Sequence, residues 1–229
     1  MKILFWDIDG TLLRTGKAGL YAFAEATRQL FGKQPDFSQI IAAGMTDCYI
    51  ASQIILQVTG REATDSEIAE LVQRYEDLLP VHLAEKQGFA IPPVTEILAL
   101  LDSNPDYVSL LLTGNTAAGA RAKLTCYNLV HYFDFSASAF GDSCQNRSQI
   151  AAQALAHLRS RHPNVGLADV YVIGDTPNDI RCGKEMGART VAVATGSFSL
   201  TDLSAHSPWW VVESLPSPVE FVRKLAETP

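Results

Sequence analysis
The amino-acid sequence predicts an α/β protein, a parallel sheet with helices on both faces, interrupted near its start by an all-helical insert. Three observations predict it. Runs at residues 1–6, 107–112, 170–173 and 190–194 are apolar at nearly every position, as strands buried on both faces are. From residue 91 onward such runs alternate with helical patterns, the rhythm that makes neighbouring strands parallel. Between residues 17 and 87, by contrast, every periodic segment is helical. The expected architecture is a Rossmann-like parallel sheet core, residues 1–16 and 88–229, with an inserted helical domain at 17–87.

Each element has its own local signal. The first strand runs into Asp7-Ile8-Asp9-Gly10, and the polar, glycine-bearing stretch from Leu13 to Gly19 suits a hinge. Residues 20–31 repeat apolar side chains at helical spacing and stop at Gly32. A loop through Pro35 leads to Gly44-Met45-Thr46-Asp47, where Thr46 or Asp47 caps a helix at 48–58 that Gly60 closes. Thr64-Asp65-Ser66-Glu67 has the form of a capping box and opens a third helix, reaching 85–87.

A helix at 93–101 then precedes the strand at 107–112, which ends in Thr113-Gly114-Asn115. Next come a helix at 116–127, an apolar stretch at 133–140 and an alanine-rich helix at 146–160. The strand at 170–173 ends at Gly174-Asp175, and its helix runs from Pro177 to Met186, closed by Gly187. The strand at 190–194 follows, and Trp209-Trp210-Val211-Val212 forms the last.

The bulk properties narrow the function. A length of 229 residues suffices for a core domain with a smaller insert, and 47% hydrophobic residues is typical of globular chains. The net charge of −7, without a basic cluster, argues against a nucleic-acid partner. Cys48, Cys126, Cys144 and Cys182 are scattered with no Cys-x-x-Cys pair, so neither a zinc site nor a disulfide framework is expected, and a reducing cytoplasm fits. The apolar residues between Lys2 and Asp7 are too few for a signal peptide, and no run reaches membrane-spanning length, so no membrane partner is expected. The five histidines have no partners at metal-ligand spacing. Nothing in the sequence speaks to oligomeric state.

In a sheet of this kind ligands bind at the carboxyl ends of the strands, and the unusual polar turns all fall there. Asp7 and Asp9, two apart at a strand end, repel each other unless a cation or a shared proton intervenes. Thr113, Gly114 and Asn115 offer a hydroxyl, an amide and unhindered backbone N–H groups, which suit a phosphate. Arg147 follows Gly141-Asp142-Ser143-Cys144-Gln145-Asn146 at a helix start, and Gly174-Asp175-Thr176-Pro177-Asn178-Asp179 adds two more carboxylates. Carboxylates clustered without His or Cys prefer a hard cation, Mg²⁺ above all.

Asp-x-Asp-Gly-Thr, a strand ending in Thr-Gly-Asn, a basic residue and Gly-Asp-x-x-x-Asp, in that order, resemble the haloacid dehalogenase superfamily of phosphohydrolases, phosphoglycolate phosphatase-like members included. The likeness runs the length of the chain and includes a helical cap domain inserted after the first motif. It implies that Asp7 is a nucleophile forming an aspartyl-phosphate and that Asp9 protonates the leaving oxygen and then activates water. It implies that Mg²⁺ is held by Asp7, the backbone carbonyl of Asp9 and Asp175, with Asp179 in support. Thr113, Gly114 and Asn115 would bind the phosphoryl oxygens. Where this family most often has Lys, the candidate is Arg147, with Lys184 as competitor.

The expected function is Mg²⁺-dependent hydrolysis of a small-molecule phosphate monoester. A phosphomutase acting on a sugar phosphate and a non-catalytic binding protein on the same fold are the alternatives. A cap must present some surface to the leaving group, and Tyr21, Met45, Thr46 and Asp47 are the candidates for it.

Overall fold
Strand β1 (Lys2–Trp6) alternates its side chains between two apolar layers, Ile3 and Phe5 facing one and Leu4 and Trp6 the other. It therefore needs cover on both sides, which only a central strand receives. In this computed structural model, which describes residues 1–142 and 146–227, the chain next forms β2 (Leu13–Arg14) and three helices, α1 (Ala18–Phe31), α2 (Asp47–Thr59) and α3 (Asp65–Glu85). It returns through β3 (Phe89–Ala90) to α4 (Val94–Asp102), β4 (Tyr107–Leu111) and α5 (Ala117–Cys126). Then follow α6 (Arg147–Arg161), β5 (Val170–Gly174), α7 (Pro177–Met186), β6 (Arg189–Val193), α8 (Leu200–Ser204), β7 (Trp210–Val212) and α9 (Pro218–Ala226). Ser143, Cys144 and Gln145, within the polar stretch before Arg147, lie outside the described residues.

The strands β4, β1, β5, β6 and β7 pair in that order, all parallel, so the protein is α/β with a parallel central sheet. Trp6 stands opposite Leu111 on one side and Ile173 on the other. The residues that follow these three positions, Asp7, Leu112-Thr113 and Gly174-Asp175, thus leave the sheet side by side. Side chains of α4 and α9 pack on the face of Leu4 and Trp6, and those of α6 and α7 on the face of Ile3 and Phe5.

Helices α1, α2 and α3 have an apolar centre of their own, in which Ala22, Phe23, Ile54, Leu71, Tyr75 and Leu79 meet. Thr46 caps α2 by accepting from the Tyr49 N–H, and Thr64 with Glu67 forms a reciprocal box at the start of α3. The structure adds three things to the sequence reading. The strands β2 and β3 pair antiparallel, and α8 and α9 are helices that the sequence reading passes over although each opens with a capping box, Ser199 with Asp202 and Ser217 with Glu220. The apolar stretch at 133–140 forms turns and a single bridge, Leu112 to Ala139, rather than a regular element. Among the described residues no helix is long and apolar enough to cross a membrane.

Candidate active site
Because β1 and β5 are neighbours in register, Asp7 and Asp175 emerge beside each other, and α7 brings Asp179 back over them. One carboxylate oxygen from each of Asp7, Asp175 and Asp179 lies within 4.8 Å of the others, and all three residues are buried. Gly10, at φ +86°, lets the chain turn against this group, since a Cβ there would lie 2.5 Å from Asp175 Oδ2. Thr11 Oγ1 donates to Asp175 Oδ1 at 3.1 Å.

Among the described residues, one side chain offsets part of the charge at the cluster. Arg147, the first residue of α6 and only 2% exposed, donates through Nη1 to Asp7 Oδ1 at 3.3 Å and through Nη2 to Asp179 Oδ1. Asp179 also caps its own helix, accepting from the Thr176 N–H at 3.0 Å and from the Thr176 hydroxyl at 2.7 Å. Lys184 is elsewhere, its Nζ donating to the His206 carbonyl at 2.6 Å on the surface. A single guanidinium against three buried carboxylates leaves the group short of positive charge. Burial, reinforced by the Asp179 charge and opposed by Arg147, pushes the Asp7 carboxyl up to about 7. Burial and the charges of Asp7 and Asp179 raise Asp175 well above the ordinary carboxylate range. A donor set of buried carboxylate oxygens with a charge deficit fits a divalent cation.

Asp9 points away from this trio. Its Oδ2 accepts from Asn115 Nδ2 at 2.9 Å and from Lys123 Nζ at 2.6 Å. Asn115 is braced from beneath by Thr113, whose Oγ1 accepts from the Asn115 N–H at 3.3 Å and from its side chain at 2.9 Å. Lys123 was not among the sequence candidates. Burial opposes its charge, yet the carboxylates of Asp9 and Asp47 prevail and hold the ammonium above the usual lysine range. The signal for it was its phase, because Gly119, Ala120, Lys123 and Leu124 form the buried face of α5.

A cavity of about 570 Å³, of a size for a small molecule, opens over these groups. Its floor includes Asp7, Asp9, Gly114, Asn115, Lys123, Arg147 and Asp175, and its far wall includes Leu20, Phe23, Met45 and Ile50 from the helical insert. The turn carrying Met45 sits directly on the strand end, for a Cβ at Gly114 would collide with the Met45 carbonyl. The Asp47 N–H donates to the Gly114 carbonyl at 2.9 Å, and the Asp47 carboxylate accepts from the Thr116 N–H at 2.9 Å. Met45 and Asp47 both line the cavity. Thr46 is buried as a helix cap, and Tyr21 is 47% exposed, its ring stacked on His82.

The chain resembles known proteins in sequence and in fold. The family model described as HAD-hydrolase-like, for haloacid dehalogenase, matches residues 147–217, the part of the chain with Arg147, Asp175 and Asp179. The chain is similar to the probable phosphatase IndB of Dickeya dadantii, at 26% identity over 223 residues, covering 93% of this chain and 89% of that one. It is also similar to a phosphoglycolate phosphatase of Neisseria meningitidis, at 29% identity over 232 residues, covering 94% and 91%. Among solved structures, a hydrolase from Pseudomonas syringae superposes with a TM-score of 0.75 at 18% identity, covering 99% of this chain and all of that one (100%), a likeness of fold.

Proposed function
Since this chain is a haloacid dehalogenase-like hydrolase, we propose that it cleaves a small phosphate monoester with Mg²⁺ at the acidic cluster and Asp7 as transient carrier of the phosphoryl group. The observation that carries the reading is the triad of buried carboxylates with one buried arginine, set at the floor of a cavity of small-molecule size. As a phosphoric monoester hydrolase it must bring an anionic nucleophile to an anionic substrate, and these residues address that repulsion. Asp7, Asp175 and the Asp9 backbone carbonyl would hold the cation, with Asp179 and Arg147 behind them. Bound there, the cation would offset the negative charge shared by Asp7 and the phosphoryl oxygens.

The protein's own side chains then divide the work. A carboxylate oxygen of Asp7 forms a bond to phosphorus as the bond to the leaving alcohol breaks, and Asp9 gives that alcohol its proton. Asp9 next takes a proton from water, the water oxygen attacks phosphorus, and inorganic phosphate leaves with the Asp7 carboxylate restored. Gly114 and Asn115, which line the cavity, and Thr113 beneath them position the phosphoryl oxygens. Residues 17–87 serve as the cap: they close over the sheet edge, exclude water and present Met45 and Asp47 to the leaving group. A panel of phosphate monoesters assayed for inorganic phosphate with Mg²⁺ tests the reading. Turnover that survives thorough chelation would refute the metal, and isomer formed in place of free phosphate would refute hydrolysis.

A further inference from the structure
The proposed reaction leaves Lys123 without a role, although it is 4% exposed and lies at the strand ends. Its Nζ lies 2.6 Å from Asp9 Oδ2 and 2.5 Å from Asn115 Oδ1, while Asn115 Nδ2 is 2.9 Å from the same Asp9 oxygen. The three side chains close a ring in which each is bonded to the other two. Asp9 needs such a brace. Its side chain is 45% exposed, and an unrestrained carboxylate on a loop samples several rotamers, of which few face the leaving oxygen.

The surroundings of the ammonium argue that it serves the protein rather than the substrate. Two of its three donors are committed to Asp9 and Asn115. Beyond them it meets the helical insert: a Cβ on Gly19 of α1 would lie 4.0 Å from Nζ and 3.7 Å from the Tyr75 hydroxyl of α3. The carboxylate of Asp47, at the start of α2, also acts on it through space. The starts of α1 and α2 thus both bear on the side chain that grips Asp9.

We propose that Lys123 is a positioning residue, gripping Oδ2 of the Asp9 carboxyl group so that its other oxygen carries the proton to the leaving oxygen, and tying that alignment to the seating of α1 and α2. The proposal rests on the reading of Asp9 as acid and base given above. It differs from anion binding in what it predicts, because misplacing a proton donor harms esters in proportion to how much their leaving group needs the proton.

The test compares wild type, Lys123→Met and Lys123→Arg on glycerol 3-phosphate, 2-phosphoglycolate and p-nitrophenyl phosphate, with Mg²⁺. Lys123→Met should lower kcat about 10–100-fold on both alkyl esters and much less on the nitrophenyl ester, with KM changed less than about threefold. Lys123→Arg should recover part of the loss. The ratio of kcat values between esters is independent of how much protein is correctly folded, so a purely structural role would leave it unchanged and overturn the proposal. A KM rise confined to phosphoglycolate would overturn it too, making Lys123 a receptor for the substrate carboxylate. Lys123→Gln, which keeps an N–H donor for Asp9 but loses the charge, gives a second reading of the ratio where Lys123→Met folds poorly, and its ratio should fall between those of wild type and Lys123→Met. A wild type inactive on every ester would overturn the phosphatase reading and this proposal with it, whereas an active wild type with unchanged ratios in the variants overturns this proposal alone.

Discussion
Arg147 lies 140 positions from Asp7 in the chain and 3.3 Å from it in space, with both side chains almost wholly buried. This pair joins the helix on one face of the sheet to the central strand. Removing the arginine leaves the Asp7 and Asp179 carboxylates buried without their cation, whereas removing Asp7 leaves Arg147 still paired with Asp179. Arg147→Met should therefore destabilise the metal-free protein by about 3–5 kcal/mol, read as a lowered urea midpoint. Added divalent cation should recover part of that, because it replaces the missing positive charge at the same carboxylates. A variant as stable as wild type would mean that the pair is neutral to the fold.

Asp7→Asn should separate stability from activity. Among buried like charges the removal of one relieves the rest, so the variant without metal at pH 8 should be more stable than wild type, by about 1 kcal/mol. Its turnover should fall to background, and the stabilisation by Mg²⁺ seen in melting curves should shrink. Normal phosphate release by Asp7→Asn would show that another group attacks phosphorus.

Asp47 gives a pH signature of its own. Burial, partly offset by Lys123, raises its folded value to about 6 from an ordinary 3.8. A carboxyl that binds its proton more tightly when folded contributes stability in full below pH 3.8, and this is lost as pH rises through 6. Relative to Asp47→Asn, wild type should lose on the order of 3 kcal/mol between those limits. Urea titrations of both proteins across pH 4 to 8 measure the difference. A gap that does not change with pH would refute the shift.

Met45 and Thr46 are adjacent and should respond differently. Met45 faces the cavity, so Met45→Ala should reorder the ranking of substrates while leaving stability nearly intact. Thr46 caps α2, so Thr46→Ala should cost about 1 kcal/mol in stability with the ranking preserved. Substrate panels and melting curves run side by side distinguish the two, and a reordered ranking in Thr46→Ala would place that hydroxyl at the substrate.

Much of this arrangement could be read from the sequence, for reasons that differ between residues. Asp7, Gly114, Asn115 and Asp175 follow strands whose apolar character is unmistakable, and parallel register alone brings strand ends together. Arg147 was legible as a basic residue at a helix start, but its choice over Lys184 depended on which face of α6 and α7 meets the sheet. Lys123 was missed because a single lysine in a helix is ordinarily solvated, and only its phase with Ala120 and Leu124 marked it as buried. The contacts of the helical insert were the least legible. Whether Tyr21 or Met45 faces the cavity depends on how α1 and α2 dock, and that docking is decided by packing among three helices rather than by any local pattern.

The antiparallel pairing of β2 with β3 sets Leu13 opposite Ala90 and Arg14 opposite Phe89. The chain therefore departs and comes back through a single doorway, with Gly16 so near Gln87 that a Cβ there would lie 2.9 Å from the Gln87 carbonyl oxygen. Any replacement for the helices in between has to bring its two ends together across the width of a hairpin and to restore the contacts that Met45 and Asp47 make with Gly114 and Thr116. Since the entropy of closing a loop grows only slowly with its length, inserts of very different size could be exchanged at this doorway at little cost to the sheet. The same cavity floor could then meet a new insert, which makes these two short strands the natural seam for re-engineering what the enzyme accepts.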